Sequence, residues 1–515
     1  MLRRRVFSCA LSLVIIVQTA LIITVGFFLP KLSRVFVGVY DKNFIHVNNI
    51  HAIDKGTQQN ILYKNGLHNQ TADIGYLIPK ISESFGRNLQ INFGDGVQSK
   101  LTFDYAELHI PAKISSYSGN QRTNRSETYK KYVFVHSSYT EQMSMSMLSV
   151  LSLCGQAQFG GRRVVRPFIF KSRFVSTENG KSLGTLFDLK YLDELLDHAG
   201  YAPMVSKKEY VSECKPTDPN HVTVHFLYLG DTTKQWNKRY FRNFKMTDEY
   251  YDSIFEKTKS KGWVECMFLD KSMGLAPSKK QFCINPAIIK DWKVFERDIV
   301  GGAKCLNILL WRGIGGGVYR SYFTENDLRF PHYEIHFALK PSEPVQQEVA
   351  RFRKRFLPDR FITVYVRSEF ILKPHGFNFE FLKKCIDVIV DVANALKAMS
   401  GISHVFVASD MSKYGSAVLS NYANKAKEKN PFPDIYKSLI SRVGGTVYNY
   451  NATSSFVTER DSIALVDLTL LTQAQYLVTA GDETMSSFVR WVAGKFLANH
   501  REDKELWSKI SVCNK

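Results

Sequence analysis

The fold is decided by residues 466–489, which read VDLTLLTQAQYLVTAGDETMSSFV. An acidic residue, Asp467, opens an apolar stretch of helical character, and residues 476–479 follow as a short apolar strand. A polar loop then leads to residues 486–488 (SSF) at the start of another apolar segment. This order of helix, strand, hydroxyl-bearing turn and helix is typical of α/β nucleotide sites, where hydroxyl and backbone N–H groups face phosphate.

An α/β pattern of the same kind occupies residues 128–335. Residues 132–135 read as a buried strand, residues 144–158 as a helix, and residues 163–168 as a second strand. Two strands joined through a helix form a βαβ unit, and such units build parallel sheets. We therefore predict an N-terminal Rossmann-like domain here.

The pattern recurs over residues 336–515. A β-branched strand at residues 362–366 is followed by a long amphipathic helix at residues 379–399. Residues 404–408 form the next strand, and the opening segment completes the series. The chain is predicted to be an α/β protein with two Rossmann-like domains that face a cleft.

Polar side chains follow the strands of the C-terminal half. Arg367 and Asp410 each come directly after a predicted buried strand, and Ser486 lies in a turn of the same half. In open parallel sheets, ligands bind beyond the carboxyl ends of the strands. The arginine fork suits a diphosphate because it donates charge-assisted hydrogen bonds in pairs. The alternative is an ordinary surface salt bridge between Arg367 and Glu369 or another carboxylate.

The N-terminus predicts a membrane anchor. Residues 6–29 contain no charged side chain and are long enough to span a bilayer as a helix. Residues 1–5 include three arginines and are predicted to be a cytosolic tail, which makes the chain a single-pass type II membrane protein. A cleaved signal peptide is the alternative, although bulky residues occupy the exit of the apolar run. Residues 30–127 are polar and turn-rich and are interpreted as a stem region.

Sequons and cysteines agree with a body in the lumen of the endoplasmic reticulum or Golgi. Asn69, Asn124 and Asn451 each begin an acceptor sequon for N-glycosylation. Eight cysteines are scattered without metal-ligand spacing, so we expect two or three disulfides with at least one free thiol. The formal charge of +20 would indicate nucleic acid in a cytosolic protein. Behind an anchor that partner is largely absent, so a diphosphate ligand, acidic glycans or simple solubility would account for the charge. Because the basic residues are spread along the chain, a solvated surface is the favoured interpretation for most of them.

Three motifs of the C-terminal half resemble those of the GDP-fucose fucosyltransferases, and most closely those of the protein O-fucosyltransferases. The motifs are residues 364–367 (VYVR), residues 405–410 (VFVASD), and the opening segment from Asp467 to Phe488. The resemblance implies a GT-B-like fold whose C-terminal domain binds GDP-fucose. It also implies that fucose moves to a hydroxyl of a glycoprotein or glycan acceptor, with inversion at the anomeric carbon.

The resemblance assigns roles to residues of the donor side. Arg367 would hold the β-phosphate, and Asp410 would lie beside the nucleoside. Ser486, Ser487 and Phe488 would line the phosphate and guanosine pocket. Asp467 is interpreted as structural.

Two positions depart from the family pattern. Tyr365 stands where the family usually has histidine, and its phenol cannot act as a cation near neutral pH. Glu141 resembles the glutamate that serves as the catalytic base in one branch, but the glycines of the family's acceptor loop are missing around it. The alternative for Glu141 is electrostatic support of a helix N-terminus. A catalytically weak binding protein, or an enzyme acting on a glycan hydroxyl, therefore stays open beside protein O-fucosylation.

No metal or other cofactor is predicted. Many glycosyltransferases hold a metal ion with an Asp-x-Asp pair, and no such triplet occurs in the chain. Arg367 and backbone N–H groups would then stabilise the charge that develops on the departing diphosphate.

Overall fold

The computed structural model describes four strands of the N-terminal region and most of the chain from residue 129 onward. The described residues are 44–51, 58–64, 88–93, 97–102, 129–139, 143–169, 181–215, 217–227, 238, 242, 247–266, 278–285, 288–289, 291–312, 329–412, 430–451, 457, 459–481, 486–500 and 507–514.

Eighteen strands and thirteen α-helices are formed by these residues. The strands are β1 (Phe44–His51), β2 (Gln58–Lys64), β3 (Asn88–Phe93), β4 (Val97–Thr102), β5 (Lys131–Tyr139), β6 (Arg162–Val165), β7 (Phe168–Ile169), β8 (Lys181–Ser182), β9 (Met204–Val205), β10 (His221–Phe226), β11 (Trp263–Glu265), β12 (Lys280–Ile284), β13 (Cys305–Arg312), β14 (Ile362–Val366), β15 (His404–Ser409), β16 (Thr446–Tyr448), β17 (Tyr476–Ala480) and β18 (Ser508–Asn514). The helices are α1 (Met143–Ala157), α2 (Leu183–Leu186), α3 (Leu189–His198), α4 (Lys207–Glu213), α5 (Asp248–Lys261), α6 (Trp292–Phe295), α7 (Arg329–Ala338), α8 (Glu343–Phe356), α9 (Ser368–Leu372), α10 (Phe379–Ser400), α11 (Phe432–Val443), α12 (Arg460–Leu471) and α13 (Ser487–Asn499).

The C-terminal half builds a doubly wound parallel sheet. Its strand order is β16-β15-β14-β17-β18, and every neighbouring pair among these five is parallel. In chain order this is 3-2-1-4-5, so the winding direction reverses between β14 and β17. All five residues of β14 and of β17 are buried, which agrees with strands that are covered by helices on both faces.

The same sheet continues into the N-terminal region of the chain. Beyond β18 the order runs β4-β3-β1-β2, and these added strands pair antiparallel. Residues 97–102 therefore belong to the sheet of the C-terminal half, which differs from the predicted stem at residues 30–127. The difference arises because antiparallel pairing with β18, which lies some 400 residues later in the sequence, leaves no local pattern in residues 97–102.

The N-terminal half forms a second sheet of seven strands, in the order β11-β12-β10-β13-β5-β6-β9. Its neighbours are parallel except for β11 beside β12. The βαβ unit predicted from residues 132–168 is present as β5, α1 and β6. Two α/β sheets, one in each half of the chain, are thus confirmed. Helix α7 extends from Arg329 to Ala338 and crosses the predicted domain boundary at residues 335/336.

One prediction within the opening segment was wrong in detail. Helix α12 begins at Arg460, so Asp467 lies inside the helix and does not open it. The first turn contains Asp461, which suits the positive end of the helix dipole. An acidic residue before an apolar run was taken for the helix start, whereas it is a carboxylate within the helix.

Helix α13 connects the two halves. Trp491 donates a hydrogen bond from Nε1 to the backbone oxygen of His336, at 2.8 Å, and the two rings stack with centroids 4.1 Å apart. At the start of α13 the Ser144 hydroxyl donates to the backbone oxygen of Ser487 at 3.0 Å. A single buried apolar cluster contains side chains of both halves. The halves are therefore packed against each other through α1, α7 and α13.

Three disulfides are formed, namely Cys214–Cys305, Cys266–Cys283 and Cys385–Cys513. Among the described residues, Cys154 is a free thiol, and it is buried. These pairs match the number expected from the sequence, while Cys9 lies outside the described residues.

The predicted anchor at residues 6–29 also lies outside the described residues. Within the part of the chain that the structure describes, no helix combines the length and the apolar character needed to cross a bilayer.

Gly494 offers a test of the packing between the halves. A Cβ atom at this position would overlap the ring of Phe337, with Cε2 only 2.5 Å away. We expect Gly494→Ala to destabilise the protein by about 1–3 kcal/mol through overpacking, although alanine is the better helix former. Urea unfolding measures the loss. The matched variant Gly494→Ala with Phe337→Leu should recover part of it, and equal losses in both would contradict the proposed contact.

Candidate functional site

The candidate site lies where β14 and β17 end side by side. These strands flank the point at which the winding of the sheet reverses, and such switch points form ligand crevices in open α/β sheets. Arg367 follows β14 directly, and its backbone N–H donates to the oxygen of Ala480 at 2.9 Å. The segment after β17 leads to Ser486. The topology thus brings together two of the three predicted motifs at one sheet edge, and β15 delivers the third on the other side of β14.

Arg367 is buried, with 5 % of its surface exposed. Its Nη2 donates to Oε2 of Glu369 at 3.1 Å, and its Nη1 lies 3.8 Å from Oδ2 of Asp410. The contact with Glu369 is the one that the salt-bridge alternative named, but the pair is enclosed by protein and not placed on the surface. Burying a guanidinium is costly unless carboxylates or other anions accompany it. Glu369 and Asp410 therefore compensate the charge of the buried guanidinium.

Asp410 is fully engaged with the turn after β14. Its Oδ1 accepts hydrogen bonds from the backbone N–H of Ser368, at 2.9 Å, and from the Ser368 hydroxyl, at 2.8 Å. Its Oδ2 accepts from the backbone N–H of Glu369 at 3.1 Å. These contacts fix the first turn of α9 and orient the backbone of Arg367. In the structure Asp410 is a positioning residue for the arginine, and its predicted place beside a nucleoside stays a prediction.

Gly481 permits the close approach of the two strand ends. It directly follows β17 and has a φ of +121°, a conformation that side-chain-bearing residues rarely adopt. A Cβ atom there would lie 3.2 Å from both Cβ and the backbone oxygen of Arg367. Glycine is therefore favoured at position 481, because a side chain there would crowd the backbone of Arg367.

Ser486, Ser487 and Phe488 lie at the start of α13. The Ser486 hydroxyl caps the helix by accepting from the backbone N–H of Val489 at 3.3 Å. This N-terminus of a 13-residue helix points to the same sheet edge as Arg367, and helix N-termini attract anions through their N–H groups and dipole. Phe488 packs against Tyr365, with ring centroids 5.7 Å apart. Tyr365 and Phe488, two of the predicted site residues, are accordingly in contact, and Arg367 lies two residues after Tyr365.

Tyr365 sits in a largely apolar setting. Burial raises the pKa of its phenol above the ordinary value of 10.0, and the neighbouring Arg367 lowers it by a smaller amount. The phenol is therefore neutral throughout the physiological range. It can exchange hydrogen bonds with a ligand but contributes no charge.

Asp467, which the sequence interpretation made structural, lies inside α12. Burial raises the pKa of its carboxyl to about 8. The ionised carboxylate would raise the pKa of the phenols of Tyr365, Tyr436 and Tyr450. A buried acidic side chain inside a helix is unusual, because such residues are rarely placed there without a partner.

The pH dependence of stability tests the environment of Asp467. Its native pKa lies above the ordinary 3.8, so its contribution is fully present below about pH 4 and is lost as pH rises toward 8. We expect Asp467→Asn, which resembles the protonated acid, to gain in Tm relative to the wild type between pH 5 and pH 8. Part of the side chain is accessible, and solvent moderates the size of the effect. Asp359→Asn, at an exposed position, should show no such trend, and parallel Tm curves for Asp467→Asn would refute the assignment.

In the sheet of the N-terminal half, β5 and β13 are parallel neighbours. Glu141 follows β5 by two residues and lies outside the described residues, as do Asn69 and Asn124. Asn451 is described and its side chain is exposed, which is the condition for glycosylation.

No metal-binding cluster of three or more histidine, cysteine or acidic side chains occurs in the described part of the chain. In the described part of the site, the Arg367 guanidinium supplies a positive charge. The free backbone N–H groups at the N-terminus of α13 add a partial positive charge.

Comparison with known proteins relates the chain to two groups of solved structures. It is similar to POFUT1 in complex with GDP-fucose, at 11 % identity over 75 % of this chain and 99 % of that chain, with a TM-score of 0.43. It is also similar to the fucosyltransferase NodZ from Bradyrhizobium, at 14 % identity over 71 % of this chain and 92 % of that chain, with a TM-score of 0.35. No protein-family description and no curated protein sequence matches the chain. The chain is thus similar in structure to fucosyltransferases.

Proposed function

We propose that the protein is a glycosyltransferase that moves fucose from GDP-fucose to a hydroxyl acceptor. The observation that carries the proposal is the convergence at the switch point between β14 and β17, where Arg367 is bonded to the end of β17 and Phe488 packs against Tyr365. A buried guanidinium and a helix N-terminus at one crevice provide two sources of positive potential for a diphosphate. The resemblance of these motifs to those of GDP-fucose fucosyltransferases then selects the nucleotide.

The chemistry follows from where charge develops. The acceptor hydroxyl attacks the anomeric carbon of fucose while the bond to the β-phosphate oxygen breaks, so configuration inverts and negative charge grows on GDP. Arg367 is placed to stabilise that charge by hydrogen bonds from its fork. For this the guanidinium must redirect donors that now contact Glu369 and Asp410. Asp410 holds the backbone on which the arginine turns.

The acceptor end is proposed from the sequence. Glu141 would take the proton of the acceptor hydroxyl, and a Ser or Thr of a secretory-pathway protein is the proposed acceptor. Three disulfides support a body in the secretory lumen, because disulfides persist in oxidising compartments. The anchor at residues 6–29 and glycosylation at Asn69, Asn124 and Asn451 complete this proposal.

Tyr365 favours a second candidate, a divergent and catalytically weak binding protein. A neutral phenol at the position of the family histidine gives less electrostatic help to a departing diphosphate. A glycan hydroxyl as acceptor is a further version of the enzyme proposal.

The deciding experiment incubates the purified chain with labelled GDP-fucose, with and without secretory glycoprotein acceptors. Release of GDP together with labelled acceptor identifies the enzyme, and sequencing of the product distinguishes a Ser/Thr linkage from a glycan linkage. Binding without turnover selects the binding protein, whereas a failure to bind GDP-fucose rejects the donor assignment. The reaction is also run in excess chelator. We expect full activity there, and loss that manganese restores would reject metal independence.

A further inference from the structure

A cavity lies near the amino ends of the strands of the C-terminal sheet, whereas Arg367 follows the carboxyl end of β14. Its volume is about 480 Å³, and it is lined by residues from α3, α7 and the segment after it, α8, α12 and α13. Lys495, one of the lining residues, follows Ser486 by nine residues, or roughly 13 Å of helix at about 1.5 Å per residue. Gln473 lines the cavity just before β17 begins. The cavity and the candidate donor site therefore lie at opposite ends of the strands of this sheet.

The charge of this cavity has one sign. Lys340, Arg353 and Lys495 line it, and none of the described residues that line it is acidic. The remaining polar lining includes three side-chain amides, which belong to Gln346, Gln473 and Asn499. A concave site lined by charges of one sign concentrates ions of the opposite sign, in this case anions.

Lys495 is the most unusual of these cations because it is buried, with 6 % of its surface exposed. Its ammonium donates to the backbone oxygens of Phe337, at 3.0 Å, and Leu339, at 2.7 Å. An ammonium group has three N–H donors, so one donor is left beyond these two. Burial, and then the charge of Lys340, lower the pKa of Lys495 to about 8. The two lysines thus repel each other across the cavity, and an anion between them would relieve the repulsion.

The other two cations, Lys340 and Arg353, are held by contacts with uncharged side chains. The Lys340 ammonium lies 3.8 Å from the centroid of the Tyr191 ring. Arg353 donates from Nη1 to Oε1 of Gln473 at 3.2 Å. Neither interaction includes a carboxylate, so both retain a full positive charge toward a ligand. Three cations from separate segments, held around one cavity without a counter-charge on its wall, form a site for an oxyanion.

We propose that this cavity binds a small ligand that carries a doubly charged phosphate group, such as a phosphate monoester or pyrophosphate. The volume is within the usual range of about 300–1,000 Å³ for small-molecule sites. Arg353 provides a planar fork for phosphate oxygens, and the two lysines provide point charges. Because α13 connects this cavity with residues 486–488, a ligand here is also positioned to influence the candidate donor site. The proposal stands on the cavity alone and does not require GDP-fucose as the donor.

The test measures the affinity of inorganic pyrophosphate for the purified chain by calorimetry. The donor site is removed from the measurement by the double substitution Arg367→Met with Glu369→Gln, which removes both members of the buried pair and serves as the background for every variant. Lys340→Gln and Arg353→Gln should each weaken binding by about tenfold, in keeping with a lost charge-assisted hydrogen bond. Lys354→Gln removes a charge from an exposed position on α8 that does not line the cavity, and it should change affinity by less than about twofold, as expected for a surface charge.

Lys495 is left intact in these variants because it also holds the C-terminal carbonyls of α7. Absence of pyrophosphate binding in the folded Arg367→Met/Glu369→Gln background would overturn the proposal, since all binding would then belong to the donor site. Equal affinities of Lys340→Gln, Arg353→Gln and Lys354→Gln would overturn it as well. In either case the cations would serve only to cap helices and cover aromatic rings.

Discussion

Arg367→Ala should lower fucose transfer by about 100- to 1,000-fold, the usual cost of removing a donor that stabilises charge in the transition state. The side chain is buried at the end of β14, beside the turn that follows β17. Water cannot easily replace it at that position. Arg367→Lys keeps the charge but loses the planar fork, so we expect it to retain only part of the activity. Rates of transfer from labelled GDP-fucose give the measurement.

This experiment must distinguish a loss of folded protein from a loss of catalytic activity. Removing the arginine leaves Glu369 and Asp410 buried without its charge, and breaking a buried pair costs roughly 3–5 kcal/mol. The double variant Arg367→Met with Glu369→Gln removes both members of the closest pair, so it should be better folded than Arg367→Ala and equally inactive. Arg360→Ala, at an exposed position before the same strand, should retain wild-type rates. A folded, active Arg367→Met/Glu369→Gln variant would show that Arg367 is only a structural ion pair.

Removal of the Cys385–Cys513 disulfide should destabilise the protein by about 3–5 kcal/mol. The bond closes a loop with a sequence separation of 128, and it ties α10 to β18. A long loop restricts the unfolded chain strongly, so its loss releases much conformational entropy. We expect Cys385→Ser with Cys513→Ser to shift the midpoint of urea unfolding to lower concentration.

The matched comparison is Cys266→Ser with Cys283→Ser. That bond has a sequence separation of 17 and lies within the other sheet, so the loop-entropy account predicts a smaller loss, of about 3 kcal/mol. If the two pairs of substitutions cost the same, loop length does not set the effect. If the Cys385–Cys513 variant is as stable as the wild type, the bond does not contribute to the fold.

Much of the C-terminal half was predictable because its strands are buried on both faces. The run at residues 362–366 is uniformly apolar or β-branched and became β14 with the predicted bounds. Arg367 was predicted as a ligand residue from the polarity change at the end of that strand. Its carboxylate neighbours at 3.1 and 3.8 Å were not predicted together, because Asp410 arrives from another strand of the sheet. Contacts between distant segments depend on the order of the strands, which a linear pattern does not determine.

Other features could not be predicted from the sequence for a related reason. The apolar pattern around Asp467 predicted a helix, but the predicted start at Asp467 lies seven residues after the observed start at Arg460. The cavity around Lys495 draws its cations from three separate segments, and each of these residues alone looks like an ordinary surface charge. The pairing of β4 with β18 could not be predicted either, since antiparallel strands of this separation share no turn.

The position of β18 has a consequence for biosynthesis. Strands β1 to β4 are synthesised some 400 residues before β18, yet their link to the rest of the sheet is the pairing of β4 with residues 510–514. Until β18 is made, these early strands form at most an antiparallel ribbon with two open edges, at β2 and at β4. Such edges invite mispairing with other chains. The sheet is therefore completed late, and a chaperone that shields the early ribbon should raise the yield of folded protein.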